Sequence, residues 1–360
     1  MISRAYATVN LLAVQHNLAR VRALAPKSKI MAVIKANAYG HGLLRISEAL
    51  KDVDAVAVAR ADEAIQLRNA GYANRIAVLE GFVCEQELND LEKFNLDVIV
   101  HSRGQVDILE KYVGNNKISV WLKLDTGMNR LGFKADEFSD IYQRISSCCN
   151  INQPVSLMTH FSSADDMESK VTETQIKDFN QAVKTYLGEK SIANSAGIIS
   201  WPDSLTNWVR PGIMLYGVSP FSDRQGIVLG LKPAMSLHSR LISVKTIESG
   251  DAVGYAGTWI SKASTRLGVV AIGYGDGYPR SAKTGTPVLV NGKRVPLVGR
   301  VSMDMITVDL STQPKSKSGD SVTLWGDGLP VEEIARYSDT IPYTLLCGVT
   351  QRVKVETVNF

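Results

Sequence analysis

Eight short apolar segments, separated by stretches with helical periodicity, dominate the first two thirds of the chain. The predicted strands are Ile30–Ile34, Ala55–Val58, Ile76–Leu79, Val98–Val100, Val120–Leu124, Val155–Met158, Ser191–Asn194 and Trp208–Arg210. The helices predicted between them include Glu63–Asn69, Glu87–Phe94, Val106–Tyr112 and Ile176–Leu187. Eight strands alternating with helices over roughly 220 residues predict an α/β fold of the TIM-like (β/α)8 barrel type. An open doubly wound sheet is the alternative, although no G-x-G-x-x-G fingerprint follows the first strand.

The chain has 360 residues, more than one hydrophobic core usually serves, so we expect two domains. A short N-terminal strand in residues 1–10 ends near Val9, and the helix that follows begins at Leu11 with Asn10 as its cap. We expect that strand to join a mainly β C-terminal domain at residues 231–360, with the barrel at residues 11–230. The predicted C-terminal strands are separated by Gly, Pro and Asn-Gly; they are Leu237–Val244, Leu267–Ile272, Pro287–Val290, Ile306–Leu310 and Ser321–Trp325.

Composition excludes several classes of protein. Forty Lys and Arg against 36 Asp and Glu give a net charge of +4 without a long basic run, which argues against nucleic acid as a partner. The four cysteines contain no C-x-x-C, so we expect reduced, structural thiols rather than a zinc site or disulfides. The histidines are dispersed and supply no metal-ligand spacing, so we assign no metal site. We find no secretory signal and no membrane-spanning apolar stretch, so we expect a cytoplasmic protein without membrane contact.

Lys35 stands where the first buried strand ends, at the face where barrel active sites assemble. Burial there would lower the pKa of the amine, and only a neutral amine forms a Schiff base. A single lysine at a strand end more often just extends into solvent. The heptapeptide Lys35–His41, KANAYGH, closely resembles the cofactor-binding segment of alanine racemases, which use pyridoxal phosphate. The resemblance continues in order and spacing through Lys123–Arg130, Arg210–Ile213, Gly273–Tyr278 and Val301–Asp304.

Pyridoxal phosphate has an anionic phosphate and a pyridine nitrogen that need different partners. Glycine-containing segments follow the seventh and eighth strands, where barrels often bind phosphate. The resemblance implies that the phosphate is bound by Tyr39, Ser195, Gly212, Ile213 and Tyr343; a helix cap at Ser195 and a turn at Gly212 are alternative roles. It also implies that Arg210 faces the pyridine nitrogen. Arginine can only donate, so it disfavours protonation of that nitrogen and weakens the ring as an electron sink.

Racemisation requires proton removal on one face of Cα and proton delivery on the other. The resemblance assigns Lys35 to one face and Tyr255, in the segment Val253–Gly257, to the opposite face. A free tyrosine has a pKa near 10 and needs help to act as a base. The resemblance implies that His160 links Tyr255 to Arg210, and that Tyr255 comes from the other subunit of a homodimer with shared active sites.

The substrate carboxylate needs a cation, and arginine's planar fork suits it. The resemblance implies Arg130 for this role, a backbone hydrogen bond from Met303, and a carbamate (N6-carboxylysine) at Lys123 that orients Arg130; an unmodified Lys123 is the alternative. Tyr343, Tyr274 and Tyr255 are suitable walls for a pocket that accepts alanine. One methylene is worth only about 1–3 kcal/mol, so we expect leakage to serine.

The expected function is therefore interconversion of L-alanine and D-alanine, an isomerase activity that supplies peptidoglycan precursors or serves alanine catabolism. A barrel decarboxylase is the nearest alternative, but its usual cysteine-bearing loop is not matched here. A non-catalytic pyridoxal-phosphate carrier is the second alternative. The large C-terminal domain with its Tyr255 segment argues against it.

Overall fold

A computed structural model describes residues 4–359. They divide into two compact units. The first comprises Asn17–Ala38 and Gly42–Leu215; the second comprises Tyr39–His41, the chain from Tyr216 onward and the N-terminal residues through His16. The start of the predicted N-terminal strand, residues 1–3, lies outside the described residues. None of the helices in residues 4–359 combines the length and apolar character needed to span a bilayer.

Strand β1 (Tyr6–Asn10) and helix α1 (Leu11–Leu24) open the described chain. The Asn10 side chain accepts a hydrogen bond from the backbone N–H of Ala13 at 3.1 Å. This bond satisfies one of the free amides at the helix start. The predicted cap is confirmed.

Eight parallel strands of the first unit form a closed barrel, which confirms the predicted fold class. Parallel barrel strands are covered on both faces, so they are contiguous apolar segments rather than alternating ones. The ring closes where Lys29 pairs with Trp208 and Ile30 with Val209. The strands are β2 (Lys29–Val33), β3 (Ala55–Val58), β4 (Arg75–Val78), β5 (Asp97–Val100), β6 (Val120–Lys123), β7 (Ser156–Met158), β8 (Lys190–Ser191) and β9 (Trp208–Val209).

Helices follow the barrel strands: α2 (Leu43–Ala49), α3 (Ala61–Asn69), α4 (Glu85–Lys93), α5 (Arg103–Lys111), α6 (Ala135–Ser147), α7 (Val171–Ala182) and α8 (Ser195–Ser200), with a 3-10 turn at Pro202–Ser204. Helix α7 begins at Val171 and stops at Ala182, so the predicted helix at 176–187 is wrong at both ends. Leu187, the last residue of the predicted helix, is 90% exposed. Tyr186 contacts Tyr142 from a turn, with ring centroids 4.2 Å apart. The seventh strand is also shorter than predicted, because Asn194 caps α8 by accepting the Gly197 N–H at 2.9 Å.

The amino-terminal end of the barrel is closed by an ion pair between aromatic rings. Arg75 contacts the buried carboxylate of Asp97 at 2.7 Å. The indole N–H of Trp121 donates to the same carboxylate at 2.9 Å. The Arg75 guanidinium lies 5.3 Å from the ring centre of Trp208. Burial raises the pKa of Asp97, and Arg75 opposes that rise. This end of a barrel serves stability rather than chemistry.

The second unit is mainly β. In its eight-stranded sheet, β1 lies between two other strands. It pairs antiparallel with the strand that begins at Met235, where Val9 is opposite Met235, and parallel with the C-terminal strand Lys354–Val358. Its further strands are β10 (Met235–Ile247), β11 (Ala252–Val253), β12 (Trp259–Ile260), β13 (Thr265–Val270), β14 (Pro287–Val290), β15 (Lys293–Pro296), β16 (Ile306–Asp309), β17 (Ser321–Trp325) and β18 (Lys354–Val358). Its short helices are α9 (Val331–Tyr337) and α10 (Pro342–Cys347), with 3-10 turns at Gly226–Leu229, Tyr255–Gly257 and Tyr274–Asp276. A further 3-10 turn, Ile213–Tyr216, lies where the chain passes from the first unit to the second.

None of the four cysteines forms a disulfide. Cys84, Cys149 and Cys347 are exposed and Cys148 is half-buried. The expectation of structural thiols is therefore wrong for the three exposed residues, which lie on the surface rather than in a core.

Candidate active site

The segment that begins at Lys35 leaves β2 through a left-handed turn. Four successive residues, none of them glycine, adopt positive φ angles: Ala36 (54°), Asn37 (53°), Ala38 (54°) and Tyr39 (52°). A left-handed residue costs about 1–2 kcal/mol, so the turn stores roughly 4–8 kcal/mol of strain. Asn37 helps to maintain it, because its backbone carbonyl accepts the Gly42 N–H at 2.9 Å and its side chain accepts the Leu43 N–H at 2.8 Å.

Four cations lie at the carboxyl ends of the barrel strands, where Lys35 follows β2, Lys123 ends β6, and Arg210 follows β9; Arg130 is in the loop after β6. Burial, and then the charges of Arg210, Arg130 and Lys35, lower the pKa of Lys123 from 10.5 to about 8. Asp125 opposes this, but its carboxylate is bound to Lys134 at 2.7 Å. The cluster therefore carries excess positive charge and suits anionic ligands.

Arg210 is buried and held in one orientation by the barrel. It donates to the hydroxyl of Ser191 at 2.6 Å, to the carbonyl of Ile192 at 3.2 Å and to the carbonyl of Thr159. Burial lowers the pKa of Arg210 to about 10, so the guanidinium remains charged at neutral pH. Nη2 of Arg210 also lies 3.4 Å from Nδ1 of His160. Burial, followed by the charge of Arg210, lowers the pKa of His160 well below its ordinary value, so this imidazole is neutral and its Nδ1 can accept from Arg210.

Ser195 joins the segments that follow β8 and β9. Its hydroxyl accepts the N–H of Gly212 at 2.9 Å and that of Met214 at 3.4 Å. The cap of α8 is Asn194 instead, so the helix-cap alternative for Ser195 is wrong. The structure thus brings Ser195 and the Gly212–Ile213 backbone together.

The loop that carries Arg130 is fixed by its own polar side chains. Asp125 accepts the N–H groups of Gly127 and Asn129, both at 3.0 Å. Gly132 has φ of 122°, and a Cβ there would lie 2.8 Å from the Asp125 nitrogen. This residue must therefore be glycine for the loop to keep its course.

A family model described as alanine racemase, N-terminal domain, matches residues 9–220, and one described as alanine racemase, C-terminal domain, matches residues 234–357. The chain belongs to the alanine racemase family. It is 51% identical to the alanine racemase of Aeromonas hydrophila over 98% of this chain and 99% of that protein. It is 48% identical to that of Coxiella burnetii over 98% of both.

Solved structures of alanine racemases agree with the fold. The biosynthetic alanine racemase from Pseudomonas aeruginosa superposes with a TM-score of 0.96 at 42% identity, covering 99% of this chain and 100% of that one. The alanine racemase from Acinetobacter baumannii gives a TM-score of 0.93 at 36% identity, with the same coverage.

In this family member, the second unit brings together two of the tyrosines that the sequence singled out. The ring of Tyr39 lies 5.9 Å from that of Tyr343 and 4.8 Å from that of Tyr216. Burial, then the neighbouring Tyr343 and Cys347, raise the pKa of Tyr39. Its hydroxyl therefore stays protonated and can donate to an anion.

Three other predicted residues of the alanine racemase site lie at the surface of the second unit. Tyr255 is 65% exposed on the turn between β11 and β12, Tyr274 is 40% exposed and Met303 is 52% exposed. The Gly275 N–H donates to the Met303 carbonyl at 2.8 Å, which joins the Tyr274 and Met303 segments. Tyr255 occupies a separate hairpin.

Sequence reasoning missed the residues that support this site. Gln175 on α7 is buried and donates to the hydroxyl of Thr126 at 3.1 Å, while its carbonyl oxygen accepts the Ser162 N–H at 3.0 Å. It thus connects the Arg130 loop to the segment after β7. No motif marks Gln175, because only the folded barrel brings these segments together.

Proposed function

We propose that this protein interconverts L-alanine and D-alanine with pyridoxal phosphate attached to Lys35. The observation that carries the proposal is the cluster of four cations, Lys35, Lys123, Arg130 and Arg210. The nearby carboxylate of Asp125 does not neutralise them, because it forms an ion pair with Lys134. Such a cluster suits two anions, the cofactor phosphate and the substrate carboxylate. The curated relatives, named alanine racemase, support the same activity.

The residues proposed to hold the cofactor are Lys35, Tyr39, Ser195, Arg210, Gly212, Ile213 and Tyr343. When bound, the group withdraws electrons from the substrate Cα and so makes its proton removable. Arg210 would face the ring nitrogen. With a pKa of about 10 the Arg210 guanidinium stays protonated at neutral pH, and its hydrogen bond to Ser191 holds its orientation. It can therefore donate to the ring nitrogen but cannot accept a proton from it. Arg210→Glu should therefore increase transamination relative to racemisation, measured as pyruvate formed per turnover; an unchanged ratio argues against this role.

We propose Lys35 and Tyr255 as the two bases, acting on opposite faces of Cα. The exposure of Tyr255, between β11 and β12, supports delivery into the site of a second copy. The neutral His160 beside Arg210 supports a hydrogen-bonded chain toward that tyrosine. Tyr255→Phe should make exchange of the Cα proton with solvent strongly one-sided between the enantiomers. Equal loss in both directions would contradict the assignment.

The shared site is tested by mixing chains. Lys35→Ala and Tyr255→Phe proteins should each lack racemisation activity, and a mixture that exchanges subunits should recover part of that activity. Exchange without recovery would exclude shared sites. Each variant mixed with itself is the control.

Arg130 is proposed to bind the substrate carboxylate, helped by the Met303 backbone and by a carbamate on Lys123. The lowered pKa of Lys123 supports the carbamate, because only a neutral amine adds carbon dioxide. Tyr274, with Tyr343 and Tyr255, would limit the pocket to a small side chain. We propose the supply of D-alanine to peptidoglycan precursors in the cytoplasm as its use, supported by similarity to a relative described as biosynthetic.

Borohydride reduction followed by peptide mapping tests the central assignment. The reduced cofactor should be found on Lys35 and on no other lysine. Optical rotation of an L-alanine solution tests the activity: decay to zero indicates a racemase, whereas a constant signal indicates a carrier and loss of alanine with release of carbon dioxide indicates a decarboxylase.

A further inference from the structure

Three successive strand-to-helix turns of the barrel are closed in the same way. In each, a side chain in the first turn of the helix accepts the backbone N–H four residues earlier. Glu63 accepts from Ala59 at 3.0 Å, Glu87 from Val83 at 2.8 Å, and Gln105 from His101 at 2.8 Å. These bonds are local and have no connection to Lys35 by themselves.

Gln105 and Glu63 also reach the preceding turn, but one donates a hydrogen bond there and the other accepts one. The Gln105 amide donates to the Phe82 carbonyl at 3.0 Å, so one of its ends accepts and the other donates. Glu63 instead accepts at both ends, because its second oxygen receives the Asn37 N–H at 3.1 Å. A carboxylate has acceptor lone pairs on both oxygens and so suits two N–H groups, whereas an amide has only one acceptor oxygen.

Asn37 is the centre of the left-handed turn that begins at Lys35. Its carbonyl and side chain hold the chain after the turn, at Gly42 and Leu43, and Glu63 holds its N–H from outside the turn. A strained turn persists only when its surroundings over-determine it. The Glu63 carboxylate is a contact through which the next barrel segment supports the turn.

We propose that Glu63 is a positioning residue for Lys35: it anchors the turn through Asn37 and keeps the lysine amine aligned for attachment of the cofactor. The inference rests on the proposed role of Lys35. Glu63 itself is not expected to touch the cofactor or the substrate.

Glu63→Gln is the matched perturbation, because it preserves size and leaves one acceptor for two N–H donors. Glu87→Gln is its control: both side chains are half-buried and make the same bond to the N–H four residues earlier, but Glu87 does not contact Asn37. Glu63→Asp keeps the charge on a shorter side chain and serves as the second variant if Glu63→Gln does not fold.

The first measurement is amide hydrogen exchange across residues 36–43. Loss of a hydrogen bond to a charged acceptor should speed exchange in Glu63→Gln about tenfold or more. Glu87→Gln should leave this segment unchanged. Thermal unfolding should change little in Glu87→Gln, because its amide oxygen can still accept the Val83 N–H as Gln105 accepts that of His101. Glu63→Gln should unfold at a lower temperature, because one amide oxygen cannot replace the two oxygens that accept from Asn37 and Ala59.

The second measurement is the yield of borohydride-reduced cofactor on Lys35 as pyridoxal phosphate is titrated into cofactor-depleted protein. Half-maximal labelling should require about tenfold more cofactor in Glu63→Gln, a change of ~1.4 kcal/mol. Equal effects of Glu63→Gln and Glu87→Gln, or no effect of either, would overturn the positioning role while leaving Lys35 assigned. Absence of label on Lys35 in the wild-type protein would overturn the proposed function itself, and this inference with it.

Discussion

The charge on Lys123 should destabilise this protein near neutral pH unless it is removed. Burial and the cations Arg210, Arg130 and Lys35 lower its pKa from 10.5 to about 8. That difference corresponds to roughly 3 kcal/mol against the charged form. Part of the side chain still reaches solvent, so we expect about 1–3 kcal/mol in practice.

The direction of the pH dependence follows from the two pKa values. Between pH 8 and 10.5 the unfolded chain binds more protons at Lys123 than the folded chain, so folding stability should rise with pH in that window. Below pH 8 the destabilisation is fully present. Lys123→Met keeps the apolar volume and removes the charge. In carbonate-free buffer at pH 7 it should therefore be more stable than wild type, and its advantage should vanish near pH 10.5.

Chemical unfolding with and without bicarbonate is the assay. A carbamate replaces the cation with an anion beside three cations, so bicarbonate should stabilise the wild type and leave Lys123→Met unaffected. Intact mass under the same conditions should show the added carboxyl group. Lys117→Met, at an exposed lysine, is the control and should change neither stability nor the bicarbonate response. If Lys123→Met is no more stable at pH 7, or if its advantage is independent of pH, the reasoning is refuted.

Two further predictions concern the barrel itself. Arg75→Met leaves the buried carboxylate of Asp97 without its ion pair, which should lower the free energy of unfolding by about 3–5 kcal/mol. Without Arg75 the pKa of Asp97 rises further and favours the neutral form, so the loss measured by urea unfolding should be smaller at acidic pH than at pH 7. Gln175→Leu removes the hydrogen bond to Thr126 and the one to the backbone of His160. Steady-state kinetics should show a rise of about tenfold in KM for alanine, as expected for loss of one or two hydrogen bonds. An unchanged KM would contradict the role of Gln175 in positioning the Arg130 loop.

The order of elements in the barrel could be predicted because each strand is covered on both faces and therefore requires a contiguous apolar segment. Ala55–Val58 was predicted with its correct bounds, as was Pro287–Val290 in the second unit. Prediction failed where packing rather than periodicity decides the end of an element. Tyr186 and Leu187 continue an apolar pattern beyond α7, yet one contacts Tyr142 from a turn and the other is exposed.

The sequence by itself determined the candidate chemistry, because Lys35 and its neighbours form a motif whose order can be read directly along the chain. The lowered pKa of Lys123 and the support of Asn37 by Glu63 were decided only by the tertiary structure. Both effects require groups that are far apart in sequence to be close in space, and closure of the barrel alone brings them together. Electrostatic and hydrogen-bond energies depend on such distances, which a linear pattern does not contain.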